Sequence, residues 1–327
     1  QRHRAVSDFE TILDPLLEEI DVEVGGTNVV AIGGGHGLAQ ALLAVQDYAT
    51  VITAVVSVAD DGGSSGRLAP ALGIPPPGDT RRALIALSPG ASLWRRVMEH
   101  RFDAGDVEGH SLGNLVLAAF AEMSGGLEEA LHTMGRVMGA RGAVVPASAD
   151  RLTLEAVVDG RRVKGQAALT RSRGEIEHLE VTPETRATRA ALESLSAADQ
   201  IVLGPGSLYT SIAAVLVVPG IVAEINASPA RLVYVGNLTT QDGETLGMDG
   251  AAHVRALIER TGVRVPDAVV AHHGPLEVPP GLRAVGIDRD EAAAIGTRLE
   301  EADLADPGAP WPQHDPARLG AVLRRLA

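Results

Sequence analysis

At 327 residues, with 45% apolar but only 2% aromatic side chains, the chain can bury a sizeable core only by packing Ala, Val, Leu and Ile. A formal net charge of -14 argues against nucleic acid as a partner, although local backbone N–H groups can still hold a small anion. The absence of cysteine excludes disulfides, thiolate catalysis and cysteine metal sites, and it fits a reducing compartment.

Residues 1–27 read as an amphipathic helical appendage ending near Gly25-Gly26. The stretch RHRAVSDFETILDPLLEEI lacks the continuous apolar centre of a signal peptide, and no window reaches the about eighteen apolar residues of a membrane span. A cytoplasmic protein without a membrane span is expected. From Asn28 the pattern changes to that of a single α/β domain over residues 28–327. NVVAI (28–32) is a short apolar run ending in GGGHG, and LAQALLAVQ follows with helical periodicity. TVITAVVSVA (50–59) is a second β-branched run and ends in DDGGSSGR. Strand, glycine turn, helix and strand make a βαβ unit with parallel strands.

Residues 79–140 read as helical, with caps and breaks at Asp79, Pro89-Gly90, His110-Ser111 and Gly125-Gly126. Residues 150–181 read as a small antiparallel insertion. RLTLEAVVDGRRVKGQAAL (151–169) is a hairpin turning at Asp159-Gly160, and EIEHLEV (175–181) is a third strand. The α/β alternation then resumes with QIVLGPGS (200–207), a helix over LYTSIAAVLV, RLVYVGN (231–237), a helix over HVRALIERTG and a strand over DAVVAHH. The tail from Asp290 reads as helical, interrupted by DPGAPWPQHDP. The fold class is therefore a Rossmann-like doubly wound, mostly parallel sheet with a helical segment and a small antiparallel β insertion. Its ligand crevice is expected at the carboxyl ends of the strands.

The candidate chemistry sits at those ends. Gly33, Gly34, Gly35, His36 and Gly37 join a strand to a helix, where backbone N–H groups and the helix dipole can meet a phosphate. A merely tight turn is the alternative. Leu38 replaces the third glycine of the dinucleotide fingerprint, and no Lys-Ser/Thr follows as in a Walker A loop. In the second loop, Gly63, Ser64, Ser65 and Gly66 suit phosphate oxygens and Arg67 suits charge neutralisation. Asp60 and Asp61 would hold a ribose hydroxyl or a Mg²⁺, an ion served by one or two carboxylates plus phosphate. A solvated turn is the bland reading of this loop. Asp79 and Arg81 in GDTRR, His110 and Asn114 in GHSLGN, Gly206 and Ser207 in GPGS, and Asn237 and Thr240 in GNLTTQDGET complete the set. His272-His273 reads as crevice wall rather than a metal site, and Trp94 and Trp311 read as packing residues.

The strings GGGHG, VSVADDGGSSGRL, IPPPGDTRRALIAL, GHSLGNL, LGPGSLYTSI and VYVGNLTTQDGET together resemble the gluconeogenesis factor (YvcK-like) family, within the CofD-like group typified by 2-phospho-L-lactate transferase. The resemblance runs in order from about Asn28 to past Val270. Relatives often carry Thr at position 36 and Asn at position 82. The resemblance implies a CofD-like Rossmann-type fold that binds UDP-glucose or UDP-N-acetylglucosamine without a required cofactor. It also implies a role in cell shape and peptidoglycan supply on gluconeogenic carbon, Ser/Thr kinase control, and contact with cell-wall-synthesis proteins. Homodimers are common among similar proteins, and threonines within 182–188 are surface candidates for phosphorylation. Two readings compete with a non-catalytic regulator. One is a Mg²⁺-dependent 2-phospho-L-lactate transferase-like enzyme, with Asp60 and Asp61 on the metal and Arg67 or Arg81 on phosphoryl charge. The other is an NAD-dependent dehydrogenase, which the missing third glycine disfavours.

Overall fold

The computed structural model describes residues 26–327, so the helix expected in the N-terminal appendage lies outside the described residues. In chain order the strands are β1 (Thr27–Gly33), β2 (Ala49–Val56), β3 (Ala143–Pro146), β4 (Thr153–Val158), β5 (Arg161–Lys164), β6 (Ile176–Thr182), β7 (Gln200–Leu203), β8 (Arg231–Val235), β9 (Ala268–His272) and β10 (Arg298–Ala302). Seven of them form one parallel sheet in the order β10-β9-β8-β7-β1-β2-β3. Its central strands are continuous apolar runs because helices cover both faces. Val30, Ala31, Ile32, Val55, Val202, Leu203 and Val233 are all buried.

The strand order locates the crevice. From β1 the chain moves outward to β2 and then β3. After the antiparallel insertion it returns to β7 on the other side of β1 and continues to β8, β9 and β10. The boundary between β1 and β7 is therefore the topological switch point, where the turns leaving adjacent strands diverge and leave a cleft. Helix Gly35–Val45 follows β1 and packs against helices Gly78–Leu87 and Pro316–Arg325.

The helical segment consists of Gly78–Leu87, Leu93–Glu99, Leu112–Ser124 and Leu127–Met138. The insertion is a three-stranded antiparallel sheet in the order β5-β4-β6, turning at Asp159-Gly160 where both residues have positive φ. It is shorter than the hairpin expected over 151–169. Gly165, at φ 93, ends β5, and Gln166–Ser172 is a helix whose Ala167 N–H donates to the Asp61 carboxylate at 3.0 Å. β3 and β10 were not expected. β3 has only four residues, and β10, RLEEA, is a charged edge strand inside a stretch that reads as helical. Thr185 and Thr188 are not surface residues: both are buried, Thr188 caps helix Arg189–Ser196, and Thr185 bonds to Ser148 and Asp150. Among the described residues no single helix is long and apolar enough to cross a membrane.

Candidate functional site

The turn after β1 enters helix Gly35–Val45 through an extended Gly34 and a left-handed Gly35 (φ 65), and this helix start carries no side-chain cap. The Gly35 N–H is directed to the Asp79 carboxylate. His36 and Gly37 lie in the first turn, where helix geometry leaves N–H groups without intrahelical acceptors. A Cβ on Gly37 would overlap the Pro205 carbonyl and press on Gly206, so this glycine lets the turns after β1 and β7 touch.

The turn after β7 is braced from β8. The Asn237 amide accepts from the Gly206 N–H at 3.0 Å and donates to the Gly206 carbonyl at 2.8 Å, locking the loop in one shape. Beyond Ser207 the expected helix begins as a π-helical segment, Leu208–Ala213, with the Ile212 N–H reaching back to the Ser207 carbonyl. The Glu244 carboxylate takes the Tyr209 and Thr210 N–H groups at 3.1 and 3.4 Å, so those donors at this helix start are already paired. Its Oε1 also accepts from the Thr210 hydroxyl.

These turns open on one cavity of about 790 Å³, within the range of small-ligand sites. Gly34, Gly35, His36, Gly37, Gly206, Ser207, Asn237 and Thr240 line it together, as the sequence leads one to expect. Sequence reasoning missed Gln40, Ser211, Gln241 and the far wall of Leu282, Trp311 and His314. The available signal was Trp311, one of two tryptophans in an aromatic-poor chain, within a proline-rich segment. It is not a packing residue, being 58% exposed, and Trp94 is 39% exposed.

The second loop lies beside this cavity rather than along its lining. Helix Gly63–Leu72 starts there without a side-chain cap, and its Ser64 and Arg67 side chains are engaged by protein partners. The Ser64 hydroxyl meets His110 Nδ1 at 3.0 Å and accepts from the Asn114 amide at 3.1 Å. Asn114 Oδ1 in turn accepts from Arg81 Nε at 2.9 Å, and Arg81 Nη1 donates to the Met98 carbonyl. Arg67 Nη2 donates to the Glu108 carbonyl. These are cross-links between helices, and they explain an arginine near a helix start without invoking a ligand. Burial, with the Arg82 charge, lowers the Arg81 pKa to about 10, and burial also holds His110 below its usual value.

The two parts of the site join at Asp79. Its carboxylate packs against the Gly34 backbone, and Arg82 Nη1 donates to Asp79 Oδ1 at 2.6 Å. Burial pushes this carboxyl up to about 6 against the pull of the Arg82 charge, and the Asp60 charge adds to the rise. Gly78 leaves room for the Ser65 hydroxyl and the Asp60 carboxylate. His36 is kept below its ordinary pKa by burial and by the Arg82 and Arg81 charges.

Asp60 and Asp61 face different elements, Asp60 towards Gly78 and Asp61 towards Gly165 and Ala167. Among the described residues no three His, Asp or Glu side chains converge as a metal site. A Mg²⁺ here would rest on Asp60 with Asp79 and take its remaining oxygens from ligand phosphate and water. At the end of β9, His272 Nδ1 accepts from the Leu304 N–H at 3.0 Å, and neither His272 nor His273 lines the switch-point cavity. A second cavity of about 490 Å³, lined by Tyr209, Glu244, Met248, Arg255 and Arg260, lies away from the switch point.

Comparison with known proteins gives a consistent result. A family model described as 2-phospho-L-lactate transferase CofD matches residues 29–305. A gluconeogenesis factor of Halalkalibacterium halodurans is 43% identical over 252 residues, 76% of this chain and 78% of that protein. A Mycobacterium tuberculosis protein provisionally designated a gluconeogenesis factor is 40% identical over 309 residues, 90% of this chain and 89% of its own length. The crystal structure of a UPF0052-family protein from Bacillus halodurans superposes with a TM-score of 0.88 at 36% identity, covering 92% of this chain and 99% of that one.

Proposed function

Because the chain belongs to the 2-phospho-L-lactate transferase CofD family and, within it, groups with the gluconeogenesis factors, we propose that it is a non-catalytic regulator that binds a nucleotide-sugar, UDP-glucose or UDP-N-acetylglucosamine, in the switch-point cavity. The observation that supports this most is that the turns after β1 and β7 touch and share one cavity. The His36 and Gly37 amides would meet the diphosphate at the positive end of helix Gly35–Val45. Asn237 would hold the β7 turn in the receiving shape, as its two bonds to Gly206 suggest. The sugar would lie towards Asp79, whose carboxylate packs against the Gly34 backbone beside the cavity. The designation of the relatives supports a role in carbon supply, and we place that role in the cytoplasm. On this reading the liganded protein acts with cell-wall-synthesis proteins, under Ser/Thr kinase control and as a homodimer, to match peptidoglycan supply and cell shape to gluconeogenic carbon.

Thermal unfolding with UDP-N-acetylglucosamine, UDP-glucose, GDP and NAD, each with and without Mg²⁺, tests the reading. Ligand at a hundred times Kd adds about 2.7 kcal/mol of stability. A UDP-sugar shift with no turnover is expected, and the absence of a shift with either UDP-sugar would reject it. The charge of Asp60, felt at the buried Asp79, favours one second reading, a Mg²⁺-dependent transferase acting on a nucleotide donor. Mg²⁺-dependent product formation, with a larger shift for GDP, would replace the first reading by the second.

A further inference from the structure

The cavity is asymmetric in its chemistry. Around the switch point it is glycine and backbone, whereas its far wall comes from the loops after β9 and β10. The Thr240 N–H donates to the Arg283 carbonyl, tying the β9 loop to the β8 loop, and an Ala305–His314 bridge folds the β10 loop back on itself. On that wall stand Trp311, largely exposed, and Leu282. Gln241, from the β8 loop, and His314 also line the cavity, and each carries a buried atom that no protein group meets, Gln241 Oε1 and His314 Nε2. The other His314 nitrogen faces the Gly236 backbone, and burial holds the ring neutral, so the free Nε2 is an acceptor. An exposed indole face on the wall of a cavity matches a planar base.

Distance agrees with this. Three strand spacings of about 4.8 Å separate the β1–β7 boundary from the β9–β10 boundary, roughly 14 Å in all. An extended nucleoside diphosphate anchored at the first reaches towards the second. Resting on the nucleotide reading above, we infer that the nucleoside lies over the ends of β8, β9 and β10, with its base stacked on the exposed Trp311. The ligand thereby has a fixed direction, base towards the carboxyl-terminal loop and the other end of the diphosphate towards Asp79. Trp311 and His314 lie beyond residue 305, where the family match ends.

Calorimetric titration of the full chain with UDP, GDP, ADP and pyrophosphate, repeated on Trp311→Ala and Trp311→Phe, tests this. Stacking on an aromatic side chain predicts a roughly 5- to 150-fold loss of affinity for the preferred nucleotide in Trp311→Ala. Pyrophosphate binding should be unchanged, and Trp311→Phe should recover most of the loss. In a Trp94→Phe background, which leaves Trp311 as the sole indole, that nucleotide should quench the fluorescence and pyrophosphate should not. Unchanged nucleotide affinity in Trp311→Ala would overturn the subsite while leaving the nucleotide reading standing. Equal losses for nucleotide and pyrophosphate would also overturn it, marking Trp311 as a support for the loop. A wild-type chain that binds none of the nucleotides would overturn both.

Discussion

Replacing Asp79 by Asn should stabilise the protein, and by an amount that depends on pH. The Asp79 side chain is 11% exposed, and its pKa rises from 3.8 to about 6 on folding. Between those values the folded state keeps a proton that the unfolded chain has released, so stability falls as pH rises through the window. The cost approaches about 3 kcal/mol above pH 7 and is about half that at pH 5. Asn removes that titration and leaves Arg82, 31% exposed, to be solvated. Urea unfolding of both proteins at pH 5 and pH 7.5 should show the advantage of Asp79→Asn widening by on the order of 1 kcal/mol. A gap that stays constant or narrows with rising pH would refute the claim that burial dominates at this carboxyl.

Further expectations follow from the same geometry. Gly37→Ala should abolish nucleotide binding and lower the unfolding midpoint, because the added methyl meets the Pro205 carbonyl across the two turns; a normal ligand shift in that variant would disprove the close approach. Asn237→Ala removes both side-chain bonds to Gly206 and should destabilise by about 1–3 kcal/mol, with a matching loss of ligand affinity by calorimetry. His314, lowered from 6.5 to about 4, binds its proton in the unfolded chain first, so its contribution is full above pH 6.5 and is lost as pH falls towards 4. The stability of wild type relative to His314→Gln should therefore drop by up to about 1.4 kcal/mol per pH unit across that window in urea titrations.

The parts of the fold legible in sequence were those with dense local signals. β1 and β7 are apolar runs closed by glycine turns, and the Asp159-Gly160 hairpin carries its own turn chemistry. The parallel sheet followed from their alternation with helices. β10 was not legible because its Arg and Glu residues suit a solvent-facing edge, and its strand character comes from pairing with β9. Helix Gln166–Ser172 depends on Asp61, over a hundred residues earlier in the chain, for an acceptor at its start. No local pattern carries that information.

The site divided along a similar line. Gly34, Gly35, Gly37 and Gly206 could be read because close approach or positive φ demands glycine in any surroundings. Ser64, His110, Asn114 and Arg81 also stood out as polar residues at helix starts, yet the structure engages them with one another. Polar residues near a cleft carry the same signature whether they meet a ligand or brace a helix, and only tertiary geometry separates the two. Trp311 escaped for the opposite reason. Aromatic residues are usually packed, and its exposure depends on the course of the loop after β10.

The most direct measurement is a crystal structure of the chain with UDP-N-acetylglucosamine. The account predicts diphosphate density within hydrogen-bond distance of the His36 and Gly37 amides and Ser207, between the turns after β1 and β7. Density for the nucleotide only in the separate cavity beside Tyr209 and Arg260 would contradict it.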